Sequence, residues 1–145
     1  METVNNTERL EKLRFFLLKL TTIAFAIWYG MNIIAGIMDD NALGIIANLV
    51  GLAGGIFWII TIIRLVRLGK EIQKDHQAWK ALNDEFFLHN RDKAYAAGFW
   101  ALMMSTIFFT ALTIYVDVPA LLVSKIILYV GVLSALIATL YYNRD

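Results

Sequence analysis

The chain contains no cysteine. Disulfide bonds, thiol–disulfide exchange, thiolate metal ligands and cysteine nucleophiles are therefore excluded. A four-helix membrane enzyme that couples disulfide formation to a quinone is excluded for the same reason. Charge of one sign is not in excess either, since 13 Lys and Arg stand against 12 Asp and Glu. Nucleic acid is thus not expected as a partner, because it usually requires a clustered basic face.

Histidine and carboxylate side chains are missing from the long apolar runs. Both histidines, His76 and His89, lie in the polar middle of the chain, which excludes a haem held by histidine pairs inside membrane helices. No apolar run contains Asp or Glu, and a proton-coupled exporter needs such a carboxylate within a span. The two histidines and the acids between them match no metal-ligand spacing. We therefore expect no catalytic residue, cofactor or metal, and a protein that is not an enzyme.

Four apolar runs occupy most of the 145 residues. Each is long enough to cross a hydrocarbon core of about 30 Å, which takes roughly 20 helical residues. The sequence predicts a single-domain, all-α polytopic membrane protein over residues 1–145, a four-transmembrane-helix bundle. Its predicted spans are 15–38, 41–66, 94–116 and 118–142.

The positive charges predict the orientation of these spans. Every Lys and Arg except Lys125 lies in the N-terminal segment, in the central connection and its edges, or at the C-terminus. Because Lys and Arg stay on the cytoplasmic side, we expect both termini and the central connection to be cytoplasmic, in the cell membrane. The other two connections are very short and should pair the helices as two antiparallel hairpins. Residues 39–41 should cap the second helix, and Asp117 with Pro119 the fourth.

The central connection, residues 67–93, is predicted to form a helical cytoplasmic hairpin with a turn at 81–84. It contains no proline, and its apolar residues recur at helical spacing. Trp79, Phe86 and Phe87 are the candidate partner surface, because bulky apolar side chains outside a membrane must be covered. They could instead pack on one another, or lie flat in the lipid headgroups.

Small residues in the second span predict close helix packing. Gly51 and Gly55 form a G-x-x-x-G pair, a spacing that lets helix backbones approach closely in lipid. The pair could serve packing within the bundle, or a homodimer or larger membrane assembly.

Three polar residues within the spans are candidate functional positions. Lys125 could form a structural clamp with Asp117 or with the acids at 39–40, or it could bind an anionic substrate or lipid headgroup. Asn32 and Asn48 could hydrogen-bond between the first two helices. These three side chains carry the alternative hypothesis of a small transporter or channel subunit.

A short motif precedes the third span. Asp84 and Glu85, then Arg91 to Ala94, then Phe99 and Trp100 resemble the D-E-R…I-x-x-K-A…F-W signature of small four-span bacterial and archaeal membrane proteins of unassigned function. The chain has Phe86 where arginine is usual and Asn90 where an aliphatic residue is usual. The resemblance implies a sensory or modulatory membrane partner of small helix-turn-helix regulators.

These observations lead to one functional hypothesis. We expect a small integral membrane protein that acts as a non-enzymatic accessory, regulatory or assembly partner. The expected partners are membrane lipid and either a second copy of the chain or another membrane protein.

Overall fold

A computed structural model describes residues 2–38, 42–74, 76, 79–80 and 85–144. Over this part of the chain, four long helices account for almost all residues. They are α1 (Glu2–Ile37), α2 (Ala42–Lys74), α3 (Glu85–Leu112) and α4 (Ala120–Tyr142). The predicted all-α class is confirmed.

All four helices are long and apolar enough to cross a membrane. Many of their large apolar side chains are exposed, Ile45, Leu52 and Trp100 among them. A protein in water would not leave so much apolar surface uncovered, whereas lipid covers it. The four candidate spans therefore suggest a multi-pass membrane protein.

The helices extend beyond the predicted spans at one end of the bundle. Helix α1 begins at Glu2, α2 continues to Lys74 and α3 begins at Glu85, so polar residues prolong all three. At the other end α3 stops at Leu112, four residues before the predicted end of the span. There the amides of Ile114 and Tyr115 bond carbonyls only three residues back, which tightens and ends the helix. The predicted turn at 81–84 lies outside the described residues.

Helix α4 starts without a side-chain cap. Pro119 is its N-cap residue, and the Pro119 carbonyl accepts the amides of Leu122 and Val123 at 2.9 and 3.1 Å. The predicted cap by Asp117 is wrong, because Asp117 lies two residues before the N-cap position and no side chain bonds the first-turn amides. The predicted cap at residues 39–41 lies outside the described residues.

The helices pack as α1 on α2, α3 on α4, and α1 on α4. Helices α1 and α4 therefore occupy the middle, and α2 and α3 flank them. Within the described residues, α2 and α3 share no extensive contact with each other. The bundle is open between its two flanking helices.

The two ends of the bundle differ. The end that holds the chain termini, the terminal end, contains a buried cluster of Leu17, Leu68 and Ile72 with Phe87 packed against it. There the buried Asn90 donates from Nδ2 to the Tyr142 carbonyl at 2.7 Å, which ties α3 to α4. The end that holds the two short connections is called the turn end.

An aromatic cluster joins three helices in the middle of the bundle. The Trp28 and Trp58 rings stack with centroids 4.9 Å apart, and Phe25 lies 6.0 Å from both Trp58 and Tyr129. Tyr29 stacks on Tyr129 at 6.0 Å. The cluster thus consists of Phe25, Trp28 and Tyr29 from α1, Trp58 from α2 and Tyr129 from α4.

Candidate functional site

Lys125 lies on α4 near the turn end, directed at α1. Its Nζ is 3.7 Å from the position that a Cβ would occupy on Gly36. Within the described residues no ion pair joins Lys125 to Asp117, so that version of the predicted clamp is not formed. The version with the acids at 39–40 lies outside the described residues.

The two asparagines lie close to Lys125 along the bundle. Asn32 precedes Gly36 by one helical turn, so both share one face of α1. The backbone nitrogen of Asn32 is 3.8 Å from the Cβ position of Gly51, and Asn48 lies three residues before that glycine. Both asparagine side chains are exposed, and neither bonds any residue that the structure describes. The expected bond between them is absent.

The glycine pair of α2 faces α1. A Cβ on Gly55 would lie 2.9 Å from Cδ1 and Nε1 of Trp28, and one on Gly51 would lie 3.5 Å from the Met31 Cβ. Both glycines are buried. The structure therefore uses Gly51 and Gly55 for packing within the bundle, and α1 already covers the surface that a homodimer would need.

The predicted partner surface is divided. Phe87 packs against the core at the terminal end, and the Arg14 guanidinium lies over its ring at 5.4 Å. Phe86 meets Phe87 edge to face at 6.3 Å but is 63% exposed. Trp79 is also exposed, at the rim of a pocket. Phe86 and Trp79 are therefore exposed side chains, whereas Phe87 is part of the fold.

That pocket, the inner pocket, opens at the terminal end with a volume of about 380 Å³. All four helices contribute to its mostly apolar wall, and Arg14 and Arg91 add two guanidinium groups. Arg91 pairs with Asp92 at 3.7 Å, but both side chains are largely exposed, so the pair contributes little. The full lining is Arg14, Leu18, Leu65, Leu68, Gly69, Ile72, Trp79, Arg91, Tyr95, Leu136 and Thr139.

A larger groove of about 860 Å³ lies between α1 and α4 at the terminal end. The sequence alone does not predict this groove, because Lys19 considered by itself is interpreted as a lysine that extends to the headgroups. The signal was present in the spacing of Glu8, Glu11, Lys12 and Lys19, which places them along one side of α1. The C-terminal turn of α4 forms the opposite wall. We call this cavity the α1–α4 groove.

Comparison with protein-family models, curated proteins and solved structures finds no match to this chain. The resemblance to four-span prokaryotic proteins therefore stays a prediction.

Proposed function

We propose that the protein is a multi-pass protein of the cytoplasmic membrane, with two antiparallel hairpins and both termini inside the cell. The contacts support antiparallel pairing of α1 and α2, because Leu17 meets Leu68 and Ile72 whereas Met31 lies beside Gly51. The concentration of Lys and Arg at the terminal end supports the orientation.

Within this placement, we propose a non-enzymatic accessory or assembly role, and the carboxamide of Asn48 is the observation that carries it. Asn48 is exposed on α2, a helix that packs extensively only on α1. It bonds no residue in the described part of the chain. In hydrocarbon an unbonded carboxamide is unfavourable, and asparagine commonly bonds across to a neighbouring membrane helix. A helix from another molecule packed against α2 would supply a hydrogen-bond partner for Asn48.

Two copies of the chain that carry different tags are produced together and purified in mild detergent through one tag. The amount of the second tag recovered measures self-association, and mass spectrometry identifies any other protein that co-purifies. Asn48→Leu is expected to weaken the association about fivefold, the equivalent of one interhelical hydrogen bond. Leu49→Ala, an exposed position on another side of α2, is the control and should leave association unchanged.

Repeated recovery of a monomer alone, with neither tag exchange nor a co-purifying protein, would reject the assembly role. Recovery of the second tag indicates self-association, and recovery of a different membrane protein indicates an accessory subunit. The resemblance to four-span prokaryotic proteins supports the second outcome, an accessory subunit of a regulatory system. The partner would contact the terminal end, where Phe86 is exposed.

A transporter or channel subunit is the second candidate, favoured by the position of Lys125. Its amine reaches α1 at Gly36, one turn from the exposed Asn32. If these side chains form part of a path for an anionic solute, Lys125→Met should abolish solute flux in liposomes that contain the purified protein. Flux that persists unchanged in this variant would remove Lys125 from any such path, and absence of flux in the unmodified protein would reject the transporter.

A further inference from the structure

The α1–α4 groove combines charges of both signs with an apolar floor. Phe15, Ile137, Leu140 and Tyr141 supply the apolar and aromatic surface. The charged side chains that line it are Glu8, Glu11, Lys12, Lys19 and Arg144. A groove that combines an apolar floor with charged side chains suits an amphiphile with a polar headgroup.

The charges of the groove are only partly balanced by neighbouring side chains. Glu11 attracts the Arg14 guanidinium, which lies outside the lining of the groove. None of the five charged side chains that line the groove forms an ion pair within 4.0 Å with another described residue. Lys19 instead directs its Nζ over the Phe15 ring at 4.4 Å. The cations of the groove can therefore meet an anion, and its carboxylates can meet a cation.

Asn143 adds an acceptor that lacks a donor. Its Nδ2 donates to the Thr139 carbonyl at 2.7 Å, but its Oδ1 is buried without a hydrogen-bond partner. Asn143 lines the α1–α4 groove and also a small adjoining cavity that Glu11 shares. A buried carbonyl oxygen without a partner is unfavourable, and an N–H group from a ligand would satisfy it.

We propose that the α1–α4 groove binds a zwitterionic phospholipid with a primary ammonium headgroup, of the phosphatidylethanolamine type. This inference rests on the proposed membrane placement. From Glu8 to Lys19 the helix rises about 16 Å, with the two acids nearest the rim and Lys19 deepest. A phospholipid carries its phosphate nearer the hydrocarbon than its ammonium, so Lys12 and Lys19 meet the phosphate. Glu8 and Glu11 meet the ammonium near the Asn143 oxygen.

Other lipids fit these groups less well. An anionic headgroup such as phosphatidylglycerol would bring no cation to Glu8 and Glu11. A choline headgroup has a positive charge but no N–H donor for Asn143. The predicted order of retention is therefore ethanolamine over glycerol and choline headgroups.

Native mass spectrometry of the full chain in detergent, with equal amounts of the three phospholipids, tests this order. We expect the ethanolamine lipid to be retained about tenfold more than the choline lipid, as for a charge-assisted hydrogen bond gained. Glu11→Gln should lower the ethanolamine-to-glycerol ratio about fivefold, whereas Lys12→Gln, which removes a charge that meets the phosphate, should weaken both lipids. Glu71→Gln and Arg67→Gln, exposed on α2 outside the groove, are the matched controls.

Two results would overturn the lipid site while leaving the membrane placement intact. The first is equal retention of all three lipids. The second is a preference for the glycerol lipid over the ethanolamine lipid that stays the same in the Glu11→Gln variant. Sedimentation of the unmodified chain with vesicles is measured in parallel. Failure to sediment would remove the membrane placement, and the lipid site with it.

Discussion

Replacing Gly98 with valine is expected to separate α3 from α4 and to lower the apparent melting temperature in detergent by about 10 °C. Even the first carbon of a side chain has no room at this position. A Cβ on Gly98 would lie 2.6 Å from the Ala135 Cβ and 3.0 Å from the Gly131 carbonyl oxygen. Neither neighbour can move aside without a shift of the α4 backbone, and α4 is the helix against which α3 packs.

Gly69→Val is the matched control for this prediction. Gly69 lies within α2 and is exposed, and no atom beyond its chain neighbours and its own helix backbone lies within 4 Å of its Cβ position. Valine is at least as favourable as glycine in a helix, so the melting temperature should stay within a few degrees of the unmodified protein. If the Gly98→Val and Gly69→Val proteins had the same melting temperature, α3 and α4 would not pack as described.

The sequence predicted the helical class because four uninterrupted apolar runs leave little alternative to helices. It also predicted a close helix contact at Gly51 and Gly55, because G-x-x-x-G marks a flat helix surface. It left open whether that contact lies within the bundle or between molecules. The spacing could not say that Trp28 would fill this surface. Which helix covers the glycines depends on contacts between residues far apart in the chain, and a single sequence does not reveal those.

Helix ends were harder to predict than helix existence. The apolar run continues to Val116, but α3 ends at Leu112, where the amides of Ile114 and Tyr115 bond carbonyls only three residues back. Hydropathy indicates which segments lipid can surround, but it does not predict the backbone hydrogen bonds that decide where a helix ends. The Asp117 cap was wrong because the helix begins two residues later, with Pro119 as its N-cap residue.

The candidate site was the least predictable part. The α1–α4 groove needs the first turns of α1 beside the last turn of α4, a contact between opposite ends of the chain. Lys19 and Arg144 each have an ordinary interpretation as cytoplasmic cations when considered alone. Only their position on opposite walls of one groove, together with the unpartnered Asn143 oxygen, indicates a ligand.

Tyr129→Ala is expected to loosen the contact between the α1–α2 and α3–α4 pairs. Tyr129 is the one α4 residue in the aromatic cluster, where it stacks on Phe25 and Tyr29. Its hydroxyl donates to the Ala26 carbonyl at 3.3 Å and lies against Gly30. Truncating a packed aromatic side chain costs about 3 kcal/mol, so the melting temperature should fall by about 9 °C.

Tyr129→Phe separates ring packing from the hydrogen bond. It keeps the stacked ring and removes only a long bond, which contributes less than about 1 kcal/mol, so it should behave nearly as the unmodified protein. Tryptophan fluorescence offers a second measurement, since Trp28 and Trp58 belong to the same cluster. Their emission should change in Tyr129→Ala but not in Tyr129→Phe. Equal melting temperatures for the alanine and phenylalanine variants would mean that this ring does not hold the two pairs together.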